Sequence, residues 1–373
     1  MMRILQLVKT SSGARWALEQ MKELKNAGFE VHVAMPIGGA HTQEYISHGI
    51  CIHDIRFNLK RLYKTIKKLR EIVDIVKPDL IHSHFYNTTL IMRLGLRRYN
   101  IPRVFQLPGP SHLYYPIIKW VEITLAQRKC DYWIGACKFS QQVYIDYGIS
   151  KDRVFLSYYQ GEPVKEVEFK DERKLRKELG LPDDAIMIGM ISYMYPPKKY
   201  LGQKRGIKGH EDFIEAIAIA AKQNPNIYGI CIGGAWNGAY SYEKNVMNYA
   251  KKMTPNIIFC GSRNNVPEIY PELFCAVQPS HQENLGGAGQ AFRYGCPIIA
   301  TNTGGLPDIV IDNITGYLVP VKDSQKLADA ILKAVAEPQK MHDMMLKGRE
   351  LYIKLKENNK GSLMNIYHQI VDR

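Results

Sequence analysis

The residues with the most chemical content lie together in the stretch SHQENLGGAGQAFRYGCPIIATNTGGLPDIV, from Ser280 to Val310. An acidic residue, Glu283, precedes a glycine-rich turn, GGAG at 286–289, which opens a helix-like segment. Adjacent glycines let a backbone approach a phosphate closely, and the free N–H groups of a helix start point at it. The helix adds roughly half a positive charge there. Asn284 and Leu285 lead into the turn, Gly286 and Gly287 are its close-approach pair, and Gln290 lies on the first helical turn with its amide available to a polar group. Glu283 is placed to accept hydrogen bonds from hydroxyls. The chemistry implied is recognition of an anion that carries a hydroxylated group. The plainer alternative is an ordinary strand–turn–helix with a solvated Glu.

The elements that must position these residues follow a strand–helix alternation. ILQLV (4–8), VHVAM (31–35), CIHDI (51–55), LIHSH (80–84), VFQL (104–107), YWIGA (132–136) and VFLSY (154–158) are short apolar runs separated mostly by helical patterns. Such runs between helices predict a parallel sheet covered on both faces. Residues 159–182 shift to charged, helix-prone sequence and read as a connection with a short helix. The pattern then restarts with 186–194, 227–234, 257–262, 275–280 and 297–302 as strands. Helices are expected at about 209–223, 241–253, 287–294 and 323–335, and from about 337 to the end. The expected class is α/β, with two Rossmann-like domains facing each other across a deep cleft. Ligands of open α/β sheets sit outside the carboxyl ends of the strands. The expected boundaries are 1–165, 166–357, and a C-terminal helix 358–373 packing back on the first domain.

From Gln290 onward, QAFRYGCPIIATNTGGLPDIV resembles the retaining, nucleotide-sugar-dependent family 4 glycosyltransferases of GT-B architecture. Their signature has a Glu, a glycine turn, a second Glu after seven residues, an Ala-rich helix, Gly-x-Pro, a strand and a Gly-Gly turn. Gln290 replaces the second Glu. Counting back from it reaches Gln282, and a one-residue deletion in the turn returns Glu283 to the first role, the reading preferred here. The resemblance implies that Glu283 contacts the donor sugar and that Gln290 meets the ribose hydroxyls. GIKGHEDFIEAIAIAAKQNPNIYGICIGG (206–234) is similar to the family's Lys-Gly turn, helix and strand, which gives Lys208 the donor diphosphate. Surface charge is the alternative for that lysine. The family's preceding Arg is replaced by an insertion, in which Lys204 or Arg205 substitutes. IIFCGSRNNVPEIY resembles the base-binding segment, making Ser262 and Arg263 candidates. SSGAR places Gly13 beside the diphosphate or acceptor, with Arg15 adding charge. His84, at the end of DLIHSHF, is a cleft candidate or a structural histidine. The family's His after the fifth strand is absent, and Gln106 or Pro108 stands near that site. Tyr159, Gln160 and Gly161 occupy the family's Asn-Gly turn.

The reaction implied is sugar transfer from a UDP- or GDP-sugar to an acceptor hydroxyl of a saccharide or a lipid-linked molecule, with retained configuration and no metal or other cofactor. Lys208, Glu283 and His84 are its catalytic candidates. A nucleotide-sugar 2-epimerase and a non-catalytic sugar-nucleotide-binding partner of a polysaccharide assembly complex are the alternatives.

Composition agrees with a globular chain: 373 residues, 46% hydrophobic and 23% charged. No apolar run is long enough to span a bilayer. The N-terminus is too short and strand-like for a signal peptide, so a cytoplasmic protein is expected. Seven cysteines form no CxxC pair and read as reduced core residues. The net charge of +14 is uneven: residues 1–165 hold 24 Lys+Arg against 13 Asp+Glu, and the remainder 26 against 23. The densest run, residues 56–76, spaces Leu59, Leu62, Tyr63, Ile66, Leu69, Ile72 and Val73 helically among lysines and arginines. It reads as a helix packed on a sheet with a solvated basic face, or as a docking face for an anionic membrane on its inner side. The segment HLYYPIIKWVEITL (112–125) adds to a membrane-proximal acceptor. No nucleic-acid reading motif accompanies the charge.

Overall fold

The computed structural model describes residues 1–109, 113–125, 128–159 and 173–373. The chain forms two compact units, Met1–Pro163 with Lys356–Arg373, and Val164–Leu355. Gln160, Gly161 and the connection up to residue 172 lie outside the described residues, as does His112.

In the first unit β1 (Arg3–Leu7), β2 (Glu30–Met35), β3 (Cys51–Asp54), β4 (Leu80–Ser83), β5 (Arg103–Gln106), β6 (Asp131–Gly135) and β7 (Val154–Leu156) form one sheet. Its order is β3-β2-β1-β4-β5-β6-β7, and every pair is parallel. The period of two in β1 explains its double burial. Leu5 and Leu7 enter one core with Ile81, Phe105 and Trp133, while Ile4 enters the other with Val31, Leu18 and Met21. The helix Arg15–Asn26 supplies Leu18, Met21 and Leu24 to that second core. The C-terminal helix Ser362–Val371 adds Leu363, Ile366, Tyr367 and Ile370 to it.

The basic segment folds as the helix Leu62–Val76, which buries Leu69, Ile72, Val73 and Val76. Two residues leave the expected apolar stripe. Leu59 lies in the short turn Leu59–Arg61 ahead of the helix, and Tyr63 is 80% exposed. Among the cysteines, Cys137, Cys231, Cys275 and Cys296 are buried, but Cys51 is exposed on the edge strand β3.

In the second unit β8 (Ile186–Ile191), β9 (Ile227–Ile232), β10 (Ile257–Phe259), β11 (Cys275–Gln278), β12 (Ile298–Thr301) and β13 (Tyr317–Val319) are also parallel. Their order is β10-β9-β8-β11-β12-β13. The edge strand β13 was not anticipated, because three residues after a glycine show no period. β8 stops at Ile191, short of the expected Met194, which keeps only an isolated bridge to Ala235. The helices His210–Gln223 and Ser324–Ala336 cover one face through Phe213, Ile217 and Ile331. The helix Gly286–Arg293 covers the other through Ala288, Ala291 and Phe292. In each sheet the strand order reverses beside the first strand of the unit, at β1 and at β8, and that switch point is where open α/β sheets bind ligands.

Among the described residues, three histidines, His82, His84 and His210, are buried without a carboxylate partner. His84 is held between Gln6 Oε1 at 2.6 Å and the Tyr159 hydroxyl at 3.0 Å. His82 Nδ1 lies 2.5 Å from the Tyr367 hydroxyl, to which Gln6 also donates. Burial pushes His84 down to about 3 and His210 to about 4, and holds His82 well below the ordinary range. The unfolded chain therefore takes up protons near pH 6.5 that the fold refuses, so the stability these sites carry is complete above that pH and falls below it. At about pH 5 each costs on the order of 2 kcal/mol. Calorimetry is expected to show the unfolding temperature dropping from about pH 7 to about pH 5, with the drop reduced in His210→Gln. An unfolding temperature that is flat over this interval contradicts the assignment.

Candidate active site

β11 ends at Gln278 and passes the chain into a loop leading to the helix Gly286–Arg293. That loop is clamped from two sides by backbone. Gly209, at φ +76°, comes so close that a Cβ there would lie 2.0 Å from the Pro279 carbonyl oxygen. Gly304, at φ +55°, would place one 1.9 Å from the Glu283 carbonyl oxygen. Both approaches and both dihedrals demand glycine. Hydrogen bonds fix the contacts: the His281 N–H donates to the Ile207 carbonyl at 2.8 Å, and the Gly305 N–H to that of Glu283 at 3.2 Å.

The clamp sets Lys208 directly against Glu283, and their side chains form an ion pair that is mostly buried. Glu283 Oε2 also accepts from Gln278 Nε2 at 3.0 Å and from the Ser280 hydroxyl at 3.2 Å. Its Oε1 accepts from the Asn284 N–H at 3.1 Å. A carboxylate held by four donors has a fixed orientation. Gln278 is itself fixed beneath Gly287 and donates to Ser280 at 2.9 Å.

Around this pair a cavity of about 370 Å³ opens at the carboxyl ends of β8, β9, β10 and β11. It brings together Lys208, Ser262, Arg263, Glu283, Gly286, Gly287 and Gln290. Arg263 turns its guanidinium to Glu178 and to the Cys260 carbonyl, the latter at 3.0 Å. Gln290 accepts from the Tyr270 hydroxyl at 3.4 Å. Asn284 and Leu285 stand in the same loop but outside the lining; Leu285 packs into the core below. Gln282 does not line the cavity either. Arg205 is committed to Asp212 and Glu215 on the helix that follows it, and Lys204 is exposed.

Gly13 and His84 belong to the first unit. The left-handed residue there is Ala14, at φ 59°, whereas a Cβ on Gly13 would meet only Thr10 at 3.8 Å. Arg15 begins the helix beside Glu19 and Glu44. His84 and Gln106 are fully buried.

Sequence reasoning passed over Gln278 and Tyr195, and placed Ser280 at the strand end without a role. The signal for Gln278 was a polar residue at the end of the otherwise apolar CAVQPS. Tyr195 lines the cavity, its ring centroid 5.6 Å from Lys208 Nζ and stacked on Trp236 at 4.8 Å. Burial, and then the Glu283 carboxylate, push its hydroxyl up to about 12, so it remains a donor at neutral pH. Chemically, the lysine and the helix start suit an anion, while Glu283, Gln290 and Ser262 suit hydroxyls and amides. Glu283 is the one carboxylate among the described lining residues, whereas double displacement at a glycosidic bond uses two.

The model for glycosyl transferases group 1 matches residues 199–351, and that for glycosyltransferase family 4 matches residues 13–158. The protein EpsD of Bacillus subtilis is 22% identical over 95% of this chain and 93% of its own length. The lipopolysaccharide core biosynthesis mannosyltransferase LpsB of Rhizobium meliloti is 25% identical over 43% of this chain and 44% of its own. The crystal structure of Anabaena Alr3699/HepE in complex with UDP-glucose superposes with a TM-score of 0.78 at 20% identity, covering 98% of this chain and all of that one. The two family matches, one on each unit, and the fold they share with that structure show that this chain belongs to the family 4 glycosyltransferases of GT-B architecture.

Proposed function

We propose that this enzyme is a retaining glycosyltransferase that moves a sugar from a UDP- or GDP-sugar to an acceptor hydroxyl in the synthesis of a cell-surface polysaccharide or glycolipid, at the cytoplasmic face of a membrane. The observation that carries the reading is the Lys208–Glu283 pair set beside the Gly286–Gly287 helix start in one cavity. The UDP-glucose bound to HepE supports a nucleotide sugar, and the name of LpsB supports the surface-polysaccharide setting. Exposed Lys64, Lys67 and Lys68 on the helix Leu62–Val76 support attraction to anionic lipid.

In this reading the acceptor oxygen bonds to the anomeric carbon as the bond from that carbon to the diphosphate oxygen breaks. The acceptor proton passes to the departing diphosphate on the same face. Lys208 and the N–H groups of Gly286 and Gly287 stabilise the charge gathering on the diphosphate, in a site that needs little reorganisation. No metal is assigned, since the lysine and the helix start supply the positive field. Glu283 holds hydroxyls of the transferred sugar. Ser262, Arg263 and Gln290 hold the nucleoside. Gly13 is assigned to the acceptor side, and the buried His84 positions Tyr159 rather than touching substrate.

A thermal-shift screen over UDP- and GDP-sugars is expected to find one ligand that, at about 100 times its dissociation constant, adds about 2.7 kcal/mol of stability. Lys208→Ala should remove most of that shift and lower kcat/KM by about 10²–10³. No shift with any sugar nucleotide sinks the donor reading, and an inverted product anomer, read by NMR, sinks retention. Gln290→Glu restores a carboxylate where the family has one, and is expected to tighten binding of the same donor several-fold. Unchanged or weaker binding places Gln290 away from the ribose.

A further inference from the structure

A second cavity, of about 810 Å³, lies in the first unit, at the carboxyl ends of β1, β2 and β3. Three cations reach it from two different loops: Lys9 after β1, and Arg56 and Lys60 after β3. No carboxylate is among its described lining residues. None of the three cations pairs with a carboxylate among the described residues, whereas Arg3, Arg15 and Lys22 in the same unit do. Among the described residues, the one carboxylate held against a lining residue, Asp54, accepts from the Ile37 N–H at 3.2 Å, so three cations face fewer counter-charges and an anion between them is stabilising.

The remaining polar groups also favour an anion. The side-chain oxygen of Asn58 is occupied by the Lys60 N–H at 2.9 Å, which leaves its amide N–H₂ to donate. Thr10 accepts from the Ser12 N–H at 3.2 Å, and Ser11 from the Gly39 N–H at 3.0 Å, so both hydroxyl hydrogens remain for another partner. The loops carrying them are tied together, since the His41 N–H also donates to the Ser11 carbonyl at 2.8 Å. A tetrahedral phosphate, with several acceptor oxygens and up to two charges, matches such a set of donors. The volume exceeds what a phosphate fills, and Ile37 and Leu59, both exposed, give the rim an apolar part. The one aromatic lining residue, Phe57, is buried, so no exposed ring offers a platform for bases.

We infer that this pocket receives a phosphate ester or diphosphate carried by the acceptor, so that the acceptor is a phosphorylated saccharide, free or attached to lipid through its phosphate. The inference rests on the glycosyl-transfer reading for the word acceptor. The phosphate site itself stands on Lys9, Arg56 and Lys60.

The test uses the full chain saturated with UDP, so that Lys208 is occupied, and titrates inorganic pyrophosphate by calorimetry. A parallel arm measures binding to phosphatidylcholine vesicles with and without phosphatidate. Arg56→Glu/Lys60→Glu is expected to weaken at least one of these by about tenfold or more, with UDP affinity and unfolding temperature unchanged. Arg97→Glu/Arg98→Glu reverses the same number of charges just after the helix Tyr86–Gly95, outside the pocket, and is expected to leave both unchanged. A loss confined to pyrophosphate indicates a soluble phosphate, and one confined to phosphatidate vesicles a lipid-borne phosphate; both support the site. If neither probe binds, or if the pocket variant matches wild type or the control, the inference is overturned. Failure to bind UDP would instead count against the transfer reading, and the two phosphate arms run without UDP would still decide the pocket.

Discussion

The contact on which the second unit's chemistry depends is the ion pair between Lys208 and Glu283. The two residues are 75 positions apart, yet they follow β8 and β11, which are neighbours in the sheet. The strand order therefore fixes their proximity before any side chain is considered. Two glycines then set the distance, because the turn carrying Lys208 and the turn at 303–305 both press on the backbone between Pro279 and Glu283. Taking a lysine and a glutamate out of water costs several kcal/mol per ion unless further hydrogen bonds satisfy them. Gln278, Ser280 and the Asn284 N–H supply those bonds to the carboxylate. The cavity is thus shaped by backbone contacts that tolerate almost no substitution, and its charged groups are oriented in advance.

The first unit repeats the sheet architecture with a different polar interior. Beside its switch point lie His82, His84, Gln6, Tyr159 and Tyr367, a network of neutral groups with no ion pair. Tyr367 arrives from the C-terminal helix, so the last residues of the chain close the network formed at the end of β4. Its buried ion pair, Arg103 with Asp131, lies at the opposite, amino ends of β5 and β6, and at the carboxyl side the cations Lys9, Arg56 and Lys60 stand on the loops beyond the strands. One unit therefore keeps its cation matched to a carboxylate inside the cavity. The other leaves three cations, Lys9, Arg56 and Lys60, unmatched at the surface among the described residues.

Much of this was legible in the sequence because parallel strands buried on both faces are short apolar runs, and the helices between them mark their ends. β13 was not, since Tyr317–Val319 is too short to show a period. Lys208, Glu283 and the glycines were legible because each follows a strand and precedes a helix, which puts it at the carboxyl edge. Tyr195 was not, because its importance comes from meeting Lys208 and Trp236, 13 and 41 positions on; Gln278 showed only as a polar residue ending an apolar strand, which does not reveal that it turns back to Ser280 and Glu283. Arg205 shows the converse. It was a natural phosphate ligand by position in the chain, but Asp212 and Glu215 lie on one face of the following helix and take its guanidinium. Spacing on that helix contained the answer, three residues apart on adjacent turns.

Under the proposed reaction, the Lys208–Glu283 pair determines how a donor enters. Lys208 and Glu283 satisfy each other, so a diphosphate must compete with the carboxylate for the ammonium. Binding then proceeds as an exchange of partners, in which Lys208 turns to the anion and Glu283 becomes available to sugar hydroxyls. Gln278 and Ser280 continue to hold Glu283, so the exchange frees its acceptor capacity without freeing its position. A nucleoside diphosphate lacking the sugar would take the lysine and leave Glu283 partly unsatisfied, while a free sugar would find that carboxylate still paired. Only a molecule presenting both groups completes the exchange, and the pair thereby selects for the intact sugar nucleotide over either of its halves.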